Sequence, residues 1–382
     1  MMKYRLVTPG PAMVPEESLL ELARPVRHHR TAENKKTIAE ALAALKEVFA
    51  TKNDVALITG SGTAAMEMAV GNVVKPGDKT IVLSAGKWGE RWQELCKTFG
   101  ANLVVVSTPY GKTPTPDMLV SALKENPDVV AVYATLSDTS TGIAMDIPAL
   151  GKLVAATKAL FVVDGISGVG AVECRTDDWH IDLLAVGAQK ALMLPPGLAY
   201  LAVSSKAKAV IEANPKPPTY YLNLKKYLKA LADSDTPYTP AHTLIGAQVL
   251  SLRRLLNEGM EIVWARTRLL AEALIAAAKA LGLELFADRP SASLTVLHVP
   301  DGIDGPKWEK LLETKYGVKC AGGQGELKGK IVRFAHMGYI DAFDVISMAA
   351  ALEWSLAELG RPVQFGAAVS AASQVLGKGL TK

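Results

Sequence analysis

Val55-Ala56-Leu57-Ile58-Thr59-Gly60-Ser61-Gly62-Thr63-Ala64-Ala65 reads as a short apolar run that ends in a glycine-rich turn and opens a helix. Six further runs of the same kind follow in the first 204 residues, at 80–84, 103–107, 129–135, 159–164, 182–187 and 198–204. Each is continuous rather than alternating, as strands buried on both faces must be. Helical spacing fills the gaps. Ahead of the first run, Ile38, Ala41, Leu42, Leu45, Val48 and Phe49 fall on one face of a helix. This alternation predicts an α/β fold, a mainly parallel seven-stranded sheet flanked by helices, with ligands taken at the carboxyl ends of its strands.

Composition changes over 214–243, a stretch rich in Pro, Tyr and Lys. Beyond it the pattern predicts a long helical stretch over 244–281, then a strand at 294–299, a helix at 308–316, a strand at 331–335 and a helix at 343–359. These form a smaller α+β domain. The expected division is an N-terminal arm (1–20), a large domain (21–255), a small domain (256–360) and a tail (361–382), read as mobile or as a short docking helix.

The whole chain of 382 residues is 49% hydrophobic and 21% charged, which suits a large core and excludes global disorder. Lys+Arg (42) against Asp+Glu (38) leaves +4, too balanced for a nucleic-acid or membrane-surface protein without a local patch. Glycines, threonines and Glu67 interrupt the most apolar stretch, 55–74, so no bilayer span is expected. The first residues lack the apolar core of a secretory signal. Three widely separated cysteines, Cys96, Cys174 and Cys320, fit reduced thiols in a cytoplasmic protein and make no zinc pattern.

Three features carry chemistry. The Gly60–Ala65 turn offers free N–H groups and a helix dipole to a phosphate. It nearly matches a dinucleotide fingerprint, but the second strand runs into Ala85-Gly86-Lys87-Trp88 and lacks the acid that would hold a ribose. A smaller phosphate, or no ligand at all, remains. Asp164 closes the apolar run Phe161-Val162-Val163; it could ligate a metal, orient a histidine, pair with a cationic ring nitrogen or simply cap the next helix. Lys190, in Ala188-Gln189-Lys190-Ala191, sits among small apolar residues at a strand end, where desolvation would make its amine a nucleophile. A solvated loop lysine has the same local sequence. Together, a phosphate cradle, a strand-end acid and a strand-end lysine are what pyridoxal phosphate requires.

At this point the chain is identified as resembling the class V, fold-type I pyridoxal-phosphate aminotransferases, specifically the alanine–glyoxylate and serine–glyoxylate (serine–pyruvate) group. The resemblance spans about residues 4–360. Its landmarks are Thr8-Pro9-Gly10-Pro11, Gly60-Ser61-Gly62-Thr63 with Ala65-Met66-Glu67, Lys87-Trp88-Gly89-Glu90-Arg91, and Asp138-Thr139-Ser140-Thr141-Gly142. They continue with Val163-Asp164, Gly187-Ala188-Gln189-Lys190-Ala191, Pro195-Pro196-Gly197 and Gly329-Lys330-Ile331-Val332-Arg333. The resemblance implies that Ser61, Gly62 and Thr63 bind phosphate, with help from Gln189. It implies Trp88 stacked on one face of the pyridine ring and Ile166 on the other. Thr139 would meet the phenolic oxygen, and Asp164 would keep the ring nitrogen protonated. Lys190 would be the Schiff-base lysine and general base, and Arg333 would grip the substrate carboxylate. Thr243 would reach the phosphate of a partner subunit, which makes the unit a homodimer with interfacial sites. The implied reaction moves an amino group from alanine or serine to glyoxylate or pyruvate by a ping-pong route.

Two positions depart from the pattern: Leu136 stands where many relatives have histidine, and Asp138 where glutamate is common. His28-His29-Arg30 resembles a site-lining motif and equally a charged turn, so no role is assigned to it. The rivals are a cysteine desulfurase, for which Cys320 would be the persulfide carrier, and an inactive scaffold or hydrogenase-associated subunit. Val318-Lys319-Cys320-Ala321 lacks the Arg and paired His that usually precede a carrier cysteine. A scaffold would need none of Asp164, Lys190 and Arg333.

Overall fold

The computed structural model describes residues 3–380; Met1, Met2, Thr381 and Lys382, part of the predicted arm and tail, lie outside them. All seven predicted strands form: β1 (Asp54–Gly60), β2 (Lys79–Ser84), β3 (Asn102–Ser107), β4 (Ala131–Thr135), β5 (Leu160–Asp164), β6 (Leu183–Gly187) and β7 (Gly197–Val203). They make one sheet in the order β1-β7-β6-β5-β4-β2-β3. Neighbours from β6 to β3 are parallel, and β7 alone is antiparallel to both β1 and β6.

Continuous apolar runs arise because successive residues serve two different cores. Leu57, Ile81, Val132, Phe161 and Leu184 face one layer of helices. Ala56, Ile58, Val82, Tyr133, Val162 and Ala185 face the other. Helices α1 (Gly62–Val73) and α2 (Lys87–Thr98) start directly after β1 and β2, at the carboxyl edge of the sheet.

The predicted helical stretch over 244–281 is two helices, α3 (His242–Glu258) and α4 (Met260–Ala280). Gly259 divides them, at a φ of 89° that residues with a side chain rarely adopt. A third core collects Leu270 and Leu274 of α4 with Trp308, Val332, Phe334, Leu352 and Val7. Its sheet, in the order Leu294–His298, Ile331–Ala335, Ala321–Gly322, is antiparallel. The N-terminal arm is tied to this region by Arg5–Leu6, which pairs in parallel with Val318–Lys319.

The described part of the tail is a helix, α6 (Ala367–Leu380), lying behind α5 (Ala342–Glu358). Ala368, Ala372 and Leu376 are buried in the third core. The buried carboxylate of Glu353 on α5 accepts from the backbone N–H groups of Gly366, Ala368 and Val369, which caps the new helix and favours its positive end. Of the two readings of this segment, the docking helix is the one observed.

Candidate active site

Parallel strands end on one edge, and their loops converge there. β5 delivers Asp164, the turn after β6 delivers Gln189 and Lys190, and the turns after β1 and β2 deliver Ser61-Gly62-Thr63 and Trp88. A single cavity is lined by Ser61, Gly62, Thr63, Trp88, Asp164, Ile166, Gln189 and Lys190, together with Arg91 and Ser167.

Lys190 is 8% exposed, and its amine donates to the carbonyl of Pro9 on the N-terminal arm. Gly10 (φ 105°) makes this approach feasible, since a Cβ there would fall 2.4 Å from Lys190 Nζ. Desolvation lowers the Lys190 pKa to about 8; Asp164 opposes that shift, while Arg333 and Arg91 add to it. Asp164 is 3% exposed and accepts the Ile166 N–H at 2.8 Å. Desolvation raises its pKa to about 7, Asp138 pushes the same way, and Lys190 and Arg91 oppose.

Trp88 is fixed at two points. Its indole Nε1–H donates to Thr139 Oγ1 at 2.8 Å, and its backbone N–H to Asp138 Oδ2 at 3.2 Å. Asp138 thereby caps α2 from the short strand Ser137–Asp138, because Gly86 at the N-cap position has no side chain to do so. A Cβ on Gly86 would fall 2.4 Å from that carboxylate. The other oxygen of Asp138 accepts from the backbone N–H and hydroxyl of Ser140, at 2.9 and 2.5 Å.

Arg333 lies on the central strand of the small sheet and is 6% exposed. Nε donates to Gly322 O at 2.8 Å and Nη1 to Thr139 O at 2.7 Å. Thr139 thus touches both Trp88 and Arg333. Thr243 is not brought to this cavity; it lies in the first turn of α3 and lines a separate cleft with Glu21, Arg24 and His242. The rings of His28 and His29 touch at a tilt, 4.7 Å between centres, and Arg30 pairs with Asp235. Cys320 is 1% exposed, and burial pushes its thiol up to about 12.

Sequence reasoning assigned nothing to Arg91, Ser167, Pro9 or Gly10, although three of them stood inside quoted landmarks. Spacing held a clue to Arg91, three residues after Trp88 and so on the same helix face.

The residues present fit pyridoxal phosphate. Ser61, the N-cap of α1, spends no side-chain hydrogen bond on capping. Gly62 packs so tightly on Ile166 that a Cβ would come within 2.6 Å of it. Gln189 Oε1 is buried with no hydrogen-bond partner. Asp164 is buried with no ion-pair partner among the described residues, as an acid waiting for a ring cation should be.

Comparison with known proteins agrees with this geometry. A family model described as aminotransferase class-V matches residues 17–332. An uncharacterized aminotransferase of Methanocaldococcus jannaschii is 39% identical, with 98% of each chain covered. The small subunit of a soluble hydrogenase from a Synechococcus species is 38% identical over 98% of each chain. An L-aspartate–glyoxylate aminotransferase of Paracoccus denitrificans is 34% identical, over 96% of this chain and 94% of that one. Among solved structures, the ureidoglycine–glyoxylate aminotransferase of Bacillus subtilis superimposes with a TM-score of 0.93 at 29% identity, covering 99% of both chains.

Proposed function

The chain belongs to the class V aminotransferases, and we propose that it moves the amino group of alanine or serine to glyoxylate or pyruvate. It is a pyridoxal-phosphate-dependent transaminase. One arrangement carries the reading: a buried amine, Lys190, shares a cavity with the buried acid Asp164 and with Trp88, whose partner Thr139 also holds Arg333.

When bound, the cofactor supplies an aldehyde that takes up amines and a ring that accepts electrons from the bond being broken. Lys190, with its pKa near 8, is still mostly protonated at pH 7, but its free-amine fraction, about a tenth, is a few hundred times that of an ordinary lysine. That amine is the nucleophile and then the base that moves the proton off the substrate Cα. Pro9 O fixes its direction. The Asp164 carboxylate would hold the proton of the ring nitrogen, and a positive charge there would in turn favour its ionised form. Trp88 and Ile166 would hold the ring between them. The Thr139 hydroxyl accepts from the indole, so its own proton would be free for the phenolic oxygen. Arg333, pointed by two carbonyls, takes the substrate carboxylate as a fork.

The small donor is supported by Arg333 being the cation that the resemblance gives to the substrate carboxylate, while Lys87, at the start of α2, is bonded to Glu90 at 2.6 Å and is not among the residues lining the cavity. A donor panel with glyoxylate and with pyruvate tests this: kcat/KM for serine or alanine should exceed that for aspartate, and the reverse order would overturn the donor assignment.

The desulfurase alternative requires a thiolate at Cys320, and a buried thiol with a pKa near 12 supplies none at neutral pH. A non-catalytic assembly subunit would not require Lys190, Asp164 and Arg333 to be retained and held this way. The working unit is a homodimer in this reading, because Thr243 can serve a phosphate only across a subunit boundary; light scattering of the purified protein checks it. A cytoplasmic location is supported by three cysteines that are all buried and unpaired, and cell fractionation checks it. Among the described residues, no helix is long and apolar enough to cross a membrane.

A further inference from the structure

We propose that Arg91 binds the 5′-phosphate of the cofactor and sets this chain's preference for the phosphorylated aldehyde over the unphosphorylated one. The inference rests on the pyridoxal-phosphate reading and adds a charged residue to a cradle otherwise made of neutral donors.

Arg91 lies one turn after Trp88 on α2 and lines the same cavity as Ser61, Gly62, Gln189 and Lys190. Its Nη1 donates to Thr63 Oγ1 at 3.2 Å, and its guanidinium carbon lies 4.5 Å from the centre of the Trp88 ring. The side chain is therefore held between the phosphate turn and the ring-stacking residue. Thr63, accepting from Arg91, keeps its hydroxyl proton free to donate, so two donors converge on one place.

Charge makes the same point. Lys87 and Glu90, on the same turn of α2, neutralise each other. Among the described residues, no carboxylate pairs with Arg91. Its positive charge instead bears on Lys190 and Asp164, depressing the pKa of each. Two cations, Lys190 and Arg91, thus face the one carboxylate of this cavity, Asp164, which leaves positive charge in excess for an anion to meet. Gln189 Oε1, buried in the same wall without a partner, shows that the cavity is incomplete as it stands, and it is the amide Nε2–H2 of this side chain that could donate to a phosphate. A guanidinium fork matches a phosphate dianion better than a point charge does, and neutral N–H donors from a helix start complete the cradle.

The test is equilibrium binding of pyridoxal phosphate and of pyridoxal to the apo-protein, wild type against Arg91→Gln. The proposal expects pyridoxal phosphate to weaken about tenfold or more while pyridoxal changes less than about twofold. Equal weakening of both aldehydes would mean that Arg91 acts only through Trp88 or the fold, and would overturn the proposal, as would unchanged affinity for the phosphate form. A second experiment needs no variant. Phenylglyoxal modification of wild-type apo-protein, mapped by mass spectrometry, should label Arg91, and inorganic phosphate should protect it; labelling indifferent to phosphate overturns the proposal. A wild-type protein that binds no pyridoxal phosphate would sink the cofactor reading as well, whereas normal wild-type binding with an indifferent Arg91→Gln removes Arg91 alone.

Discussion

Two buried polar regions of this molecule can be set side by side: the cavity around Lys190 and the seam around His336. His336 is fully buried, and burial lowers its pKa to about 4. Its Nδ1 meets Ala292 O at 3.0 Å and its Nε2 meets Thr295 Oγ1 at 3.0 Å. A carbonyl can only accept, so Nδ1 carries the proton and Nε2 accepts from the threonine. Nearby, the hydroxyls of Ser137, Ser291 and Ser293 bond to one another at 2.8–3.0 Å, joining the loop after β4 to the small sheet. Every one of these side-chain groups has a partner. In the cavity, Gln189 Oε1 has none, Arg91 has no counter-ion among the described residues, and Lys190 and Asp164 are pulled toward neutrality. Burial perturbs ionisation in both places. What sets the cavity apart is that perturbed ionisation, an unpaired cation and unmet polarity coincide in one place, and that coincidence marks where a ligand belongs.

The largest way to sharpen the contrast is Lys190→Ala. Turnover should fall by about three orders of magnitude or more, with the fold intact by circular dichroism; a rate within tenfold of wild type would place the chemistry elsewhere. Asp164→Asn follows, with kcat/KM falling about 100-fold while the apo-protein becomes more stable. The Asp164 pKa is raised from 3.8 to about 7 in the folded state, so the folded protein holds an extra proton through that window and loses stability as pH rises across it. Asn abolishes that loss, so denaturant unfolding should show a gain of up to about 4 kcal/mol at pH 8 and little at pH 4. A variant less stable than wild type at pH 8 would show Asp164 to be a structural acid.

His336→Gln should do the opposite. Stability should drop by about 1–3 kcal/mol at pH 7, with kcat/KM within about threefold. The folded pKa is depressed from 6.5 to about 4, so wild-type stability declines as pH falls through that interval, and the variant should decline less steeply. A larger loss of activity than of stability would erase the distinction between the regions. The smallest effect is expected from Cys320→Ala, about 1 kcal/mol of stability and unchanged turnover; lost activity would revive the persulfide carrier.

What could be read in the sequence was local. A strand buried on both faces writes itself as an apolar run, and a strand-end aspartate or lysine interrupts the run visibly, so the sheet, Asp164 and Lys190 were legible. The break at Gly259 was not, because both halves of the stretch have the same helical periodicity. Helix α6 was obscure since its apolar face consists largely of alanines and its cap, Glu353, comes from another helix. Arg91, Pro9 and Gly10 acquire meaning only when α2 and the N-terminal arm meet the turn after β6. Thr243 shows the converse: its implied role cannot be met within one chain.

The most direct test of the central claim is a half-reaction on the cofactor-loaded protein, with L-serine or L-alanine and no acceptor, followed by absorbance and by assay of the released oxo acid. The account expects one equivalent of oxo acid per site, conversion of the cofactor to its aminated form, recovery on adding glyoxylate or pyruvate, and none of this in Lys190→Ala. No conversion with any amino acid, or sulfide released from cysteine without amination of the cofactor, would contradict it.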